Sequence, residues 1–184
     1  YTLSLHDALP ICPPLHEPGA EGDWEMIDTI SPVMTEGARN WIRDLARQFK
    51  LAGIDASFAF SMECYLPPLA MAARYWDGEP VFLLIPSHHM HFGSRVRNYL
   101  KQMYKECADE IAAAGLPIVL QFGETQWWYF PNASGMPFYD DDTKAAFQAR
   151  YGRSLHRFLV NTDSPHDDIE SADFLRDRDR KSVV

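Results

Sequence analysis

Apolar residues recur at three- and four-residue steps in two long stretches of the chain. Ala38, Trp41, Ile42, Leu45, Phe49 and Ala52 form the first stripe. That period predicts an amphipathic helix over 32–52, with Ser31 and Pro32 at its start and Gly53 closing it. Val96, Tyr99, Leu100, Met103, Cys107, Ile111 and Ala114 form the second stripe. It predicts a helix over 94–114, capped by Ser94 and ended by Gly115 and Pro117. A different pattern follows each helix. In DASFAFSMEC (55–64), Phe58, Phe60 and Met62 alternate with small residues, and LPIVLQF (116–122) is almost wholly apolar. The first reads as a strand buried on both faces and the second as a buried strand. A third helix is predicted from Asp140 to Tyr151, with acidic residues in its first turn and Gly152 after its last.

The intervening segments are less regular. Residues 12–23 hold three prolines and two glycines and read as an entry loop. In 65–91, Pro67 and Pro68 interrupt regular structure, 81–85 reads as a short apolar strand, and 86–92 is histidine-rich. Residues 127–135 are a loop by composition. Beyond Leu159 the chain turns polar and acidic, with at most a short helix near the end. Helix–Gly–strand occurs twice and a helix follows. That order predicts an α/β fold with parallel strands and crossover helices.

Length sharpens this expectation. The 184 residues are 46% hydrophobic, enough for about one domain. A closed (β/α)8 barrel needs about 250 residues, so a TIM barrel here is expected to be partial, a fragment. Both ends are set apart. Residues 1–11 (YTLSLHDALPI) and 179–184 (DRKSVV) resemble translated sequencing-adapter read-through, which leaves 12–178 as the expected barrel segment.

Charge and motifs narrow the function. Lys plus Arg number 17 and Asp plus Glu 26, a net charge of −9, which argues against nucleic acid as a partner. The longest apolar run falls far short of the roughly 20 residues that span a bilayer, so no membrane partner is expected. Cys12, Cys64 and Cys107 lack disulfide-framework or zinc spacing, and Cys107 reads as core packing. There is no GxSxG, GxxxxGK[ST], GxGxxG or HExxH, and no cofactor is assigned. His88, His89 and His91 form an HHxH group without a third ligand at fitting spacing, so no metal is assigned and His89 is placed on a polar pocket rim. The run from Asp140 to Asp142 reads as helix capping rather than a calcium loop.

The densest chemistry lies in 121–130 (QFGETQWWYF). A buried strand carries Glu124 to its C-terminal end, the edge where parallel α/β folds bind ligands. Trp127, Trp128 and Tyr129 follow. Indole faces stack on pyranose C–H faces, and a carboxyl held against tryptophan suits a general acid. Gln121 lies on the same strand. Glu63 closes the earlier strand and is a second candidate ligand contact, with an ion pair as its structural alternative.

Two resemblances attach to these residues. LQFGETQWW with FYDDDTKAAFQARYGRSLHRF resembles the fourth β/α unit of retaining glycoside hydrolases of the large (β/α)8 clan, beta-galactosidases among them. Phe147, Tyr151, Gly152 and Leu155 match its helix, and the resemblance implies that Glu124 is the general acid/base. Gly123 departs from it, because these enzymes usually carry Asn before the acid. The nucleophile would belong to a later strand than this chain carries, so the fragment by itself is expected to be inactive. The loop together with NASGM (132–136) is also similar to glycoside-hydrolase-like TIM barrels of phage tail and tail-like proteins, including the barrel of non-contractile tail sheath proteins. That likeness implies a barrel that is structural or binds glycans without turnover, and assembly into a tail-like particle. Carbohydrate is the partner expected on both readings. A third reading is an interaction domain whose aromatic loop contacts another protein.

Overall fold

The computed structural model describes residues 2–4, 16–18, 24–26, 31–60, 64–65, 67–84, 87–122, 135–160 and 162–181. Its first helix, α1 (Glu36–Ala52), begins four residues later than the apolar stripe suggests. The cap is Thr35, whose hydroxyl accepts from the Ala38 N–H at 3.2 Å. The residues ahead of it are held differently. The Val33 and Met34 N–H groups donate to the Glu106 carboxylate at 2.8 and 3.0 Å, so these backbone groups are satisfied outside the helix. The buried stripe of α1 is Ala38, Ile42 and Ala46, with Leu45 and Phe49 beside it. Trp41, expected inside, is 38% exposed, and Ala52 is exposed too.

The second helix, α2 (Ser94–Ala113), buries every member of its predicted stripe. Gly93, not Ser94, is its N-cap residue, and no side chain caps it. Glu106 and Glu110 are also buried on α2. Glu110 is matched by Arg43 of α1, whose Nε donates to it at 2.6 Å, so both acids tie α2 to α1 or to the segment before it.

Three sheets are present among the described residues. The first is parallel, with order β1 (Thr2–Ser4), β4 (Ser57–Phe60), β8 (Leu120–Phe122). Its first strand falls inside 1–11, so three residues of that segment take part in the sheet. β2 (His16–Pro18) and β3 (Trp24–Met26) pair antiparallel where an entry loop was expected. β5 (Cys64–Tyr65), β6 (Phe82–Leu84) and β7 (Ser87–His88) form an antiparallel arm in the order β5-β7-β6. The expectation of parallel strands therefore holds for β4 and β8 and fails for the insertion between β4 and α2.

The strands are also shorter than their apolar runs. Phe58 pairs with Leu120 and faces the helices, where Phe58 is buried. Ala59 pairs with Gln121 on the opposite face. That face is not sealed: Gln121 is exposed, as are Ile118 and Val119 just before β8. Burial on both faces requires either a closed barrel or a second layer of helices, and among the described residues the parallel sheet has three strands and open edges.

The last two helices complete the core. Asp140 caps α3 (Asp141–Tyr151), accepting from the Thr143 N–H at 2.9 Å, as its sequence predicts. Gly53 and Gly152 stop α1 and α3 at φ 65° and 69°, in the left-handed region that favours glycine. α4 (Ile169–Lys181) is far longer than the short helix expected. Ser171, Phe174 and Leu175 are its buried side. Phe147 of α3 is fully buried between the rings of Tyr151, at 4.6 Å, and Phe174, at 5.2 Å. Arg153 then joins the end of α3 to α4, with bidentate bonds to Asp168 at 2.6 and 2.7 Å and a further bond to Glu170. The guanidinium holds the Asp168 carboxyl well below the usual carboxylate range.

Candidate functional site

The parallel strands determine where the expected site can lie. Phe60 and Phe122 are the last paired residues of β4 and β8, so the chain leaves both strands at the same, C-terminal edge of the sheet. Glu63 follows Phe60 by three residues and Glu124 follows Phe122 by two. Glu63, Glu124, Trp127, Trp128 and Tyr129 themselves lie outside the described residues. Of the predicted group, Gln121 and His89 are described. Gln121 is exposed on the face of β8 that a closed barrel would turn inward.

His89 is not on a rim. Its backbone joins the antiparallel arm: the Ala73 N–H donates to its carbonyl at 2.7 Å, and its own N–H donates to Val81 at 3.1 Å. The ring is 3% exposed, and neither ring nitrogen has a hydrogen-bond partner among the described residues. Burial without a partner disfavours the imidazolium and lowers the His89 pKa to about 4. A side chain expected to meet ligand is thus enclosed in the arm.

His91, two residues on, is buried and fully engaged. The Gly93 N–H donates to Nδ1 at 2.8 Å, and Nε2 lies 2.8 Å from the Ala70 carbonyl. Together these bonds select the tautomer with its proton on Nε2. Nδ1 also lies 3.6 Å from Asp142 and 3.9 Å from Asp140. Gly93 has to be glycine here for want of room, since a Cβ would overlap the Asp142 carboxylate and the His91 ring. His91, Asp140 and Asp142 border a cleft of about 210 Å³ with Arg74 and Asp141. Among the described residues no group of three or more His, Cys, Asp or Glu could hold a metal ion.

A larger cleft, about 440 Å³, was not singled out in the sequence. It lies between the turn at Trp76, α3, and the segment after α3 that carries Ser154 and Arg157. Its one sequence signal was Trp76 beside Asp77-Gly78, a turn that leaves an indole at the surface.

Fold and edge geometry define a class: parallel β/α units whose strands deliver loops to one edge, the elements of a TIM barrel. The family model for the non-contractile tail sheath protein TIM barrel matches residues 18–167. The chain belongs to that family. No curated protein and no solved structure matches it. The tail-protein likeness is thereby supported, whereas nothing supports the glycoside hydrolase clan. No helix among the described residues is long and apolar enough to cross a membrane.

Proposed function

We propose that this chain is a structural barrel segment of the sheath of a non-contractile, tail-like particle, and that it turns over no substrate. The family match across 18–167 carries this reading, because it covers α1, β4, α2, β8 and α3 together. The interior polar groups accord with it. Glu106, Glu110 and Asp140 are spent on backbone, arginine and cap contacts that hold elements together. On this reading 121–130 is a contact loop: Glu124, Trp127, Trp128 and Tyr129 meet a neighbouring surface or a glycan, and Glu63 keeps a structural role. Gly123, where the related enzymes carry Asn, fits contact better than cleavage.

Antibodies raised against the chain test the proposal. They should decorate tail-like particles released by cells that encode it, along the particle wall. Label confined to soluble protein would contradict it. So would hydrolysis of a chromogenic glycoside by the chain that is lost in Glu124→Gln.

A further inference from the structure

The Trp76 cleft is built from three parts of the chain and has an electrostatic character unlike the whole. The protein carries a net charge of −9, yet among the described residues Lys144 and Arg157 line this cleft and no carboxylate does. Lys144 is held at one side by Asp141, at 2.8 Å. Arg157 makes no ion pair with any described residue; its guanidinium instead lies over the Trp76 ring, 4.6 Å from the centroid. Trp76 remains 39% exposed. Gln148 of α3 and Ser154 add an amide and a hydroxyl to the lining.

The position of Arg157 is fixed by its neighbours. The Tyr139 hydroxyl donates to the His156 carbonyl at 3.1 Å and accepts from the Phe158 N–H at 2.6 Å. It thus clamps the backbone on both sides of Arg157. The His156 N–H is anchored as well, donating to Ser171 of α4 at 3.0 Å. Burial pushes the Tyr139 phenol up to about 12, so the clamp keeps its proton at any physiological pH. An arginine with a clamped backbone and a stacked guanidinium loses little further freedom on binding.

We propose that this cleft binds a carboxylate-bearing saccharide, with Arg157 and Lys144 on the sugar acid, Trp76 against the ring's C–H face, and Gln148 and Ser154 on hydroxyls. The volume lies within the range of small-molecule pockets. The aromatic and neutral polar groups distinguish a sugar acid from a bare anion, which would need only the cations. The proposal does not depend on the sheath reading.

Isothermal titration of the full chain with tri-galacturonic acid tests it. Saturable binding is expected, about tenfold weaker or more in Arg157→Gln and in Trp76→Ala, with melting curves checking that each variant folds. Arg157→Lys, which keeps the charge and loses the planar fork, should weaken binding less than Arg157→Gln, and it serves as the reporter if Trp76→Ala fails to fold. A neutral galacto-trisaccharide, acetate and triglutamate are the comparison probes, and each should bind more weakly than the sugar acid. Four results would overturn the proposal: no saturable binding; acetate or the neutral sugar binding as well as the acid; triglutamate binding more tightly, which would indicate a peptide site; or affinity for the sugar acid unchanged in the variants.

Discussion

Glu106 and His89 are both buried polar side chains, one in the parallel frame and one in the antiparallel arm. Glu106 accepts from two backbone N–H groups and from Gln102, and so fixes the approach to α1. His89 meets no partner among the described residues. The two regions differ in size of core as well. The frame gathers residues of α1, α2, β4, α3 and α4 into one cluster, which Met71 and Met90 of the arm also join, whereas Ala73, Tyr75 and Val81 form a small cluster of their own. A large core can place a charge in its interior because neighbouring backbone is there to satisfy it. The arm joins the large core through Met71 and Met90 and is otherwise held by backbone ladders, and burial disfavours the charged form of its interior histidine. The frame therefore satisfies its buried carboxylates, and the arm is the part more sensitive to acid.

The frame should break first at Phe147. Phe147→Ala empties a fully buried site shared by α3 and α4 and should cost about 4 kcal/mol in urea unfolding. A loss under about 1 kcal/mol would show that α4 does not belong to the frame. Glu106→Ala leaves the Val33 and Met34 N–H groups unpaired and should cost about 3 kcal/mol.

For the arm, acid is the probe. Folding lowers the His89 pKa from 6.5 to about 4. Between these values the unfolded chain takes up a proton that the folded chain refuses. The stability linked to this group is thus full above pH 6.5 and is lost as pH falls to about 4, up to about 3 kcal/mol in all. His89→Phe should flatten that part of the stability–pH curve and, by removing orphaned polar atoms, should leave the protein at pH 7 as stable as before or more so. An unchanged slope would mean that His89 is hydrated and that the contrast with Glu106 fails. Arg153→Ala should have the smallest effect, because that side of the Arg153–Asp168–Glu170 group is solvent-accessible, and the loss should shrink at high salt.

Local signals made the frame legible. The stripe of α2, the Asp140 cap and the glycine stops at 53 and 152 are carried by neighbouring residues and appear where the sequence puts them. The start of α1 was not local, since Val33 and Met34 are drawn off by Glu106, more than seventy positions away. In the arm the strand expected at 81–85 appears as β6 (Phe82–Leu84), but the rest was illegible because its strands are two or three residues long and its ladder links Ala72 to Met90 and Arg74 to Pro80. No periodicity can develop over such lengths. Helix α4 was hidden by its charge: Phe174 and Leu175 are its two large buried residues, and docking onto Phe147 makes up for a weak stripe. The pull of the QFGETQWWYF stretch was compositional, and all of it after Phe122 lies outside the described residues. The Trp76 cleft is assembled from three separated segments and had no signal of comparable strength.

Cryo-electron microscopy of tail-like particles containing this chain tests the central claim most directly. We predict copies of the α1–α4 frame repeating along the particle wall, with β8 flanked by parallel strands on both sides as part of a closed barrel. Particles whose walls lack this frame, or a β8 whose free edge pairs with no parallel strand, would contradict it.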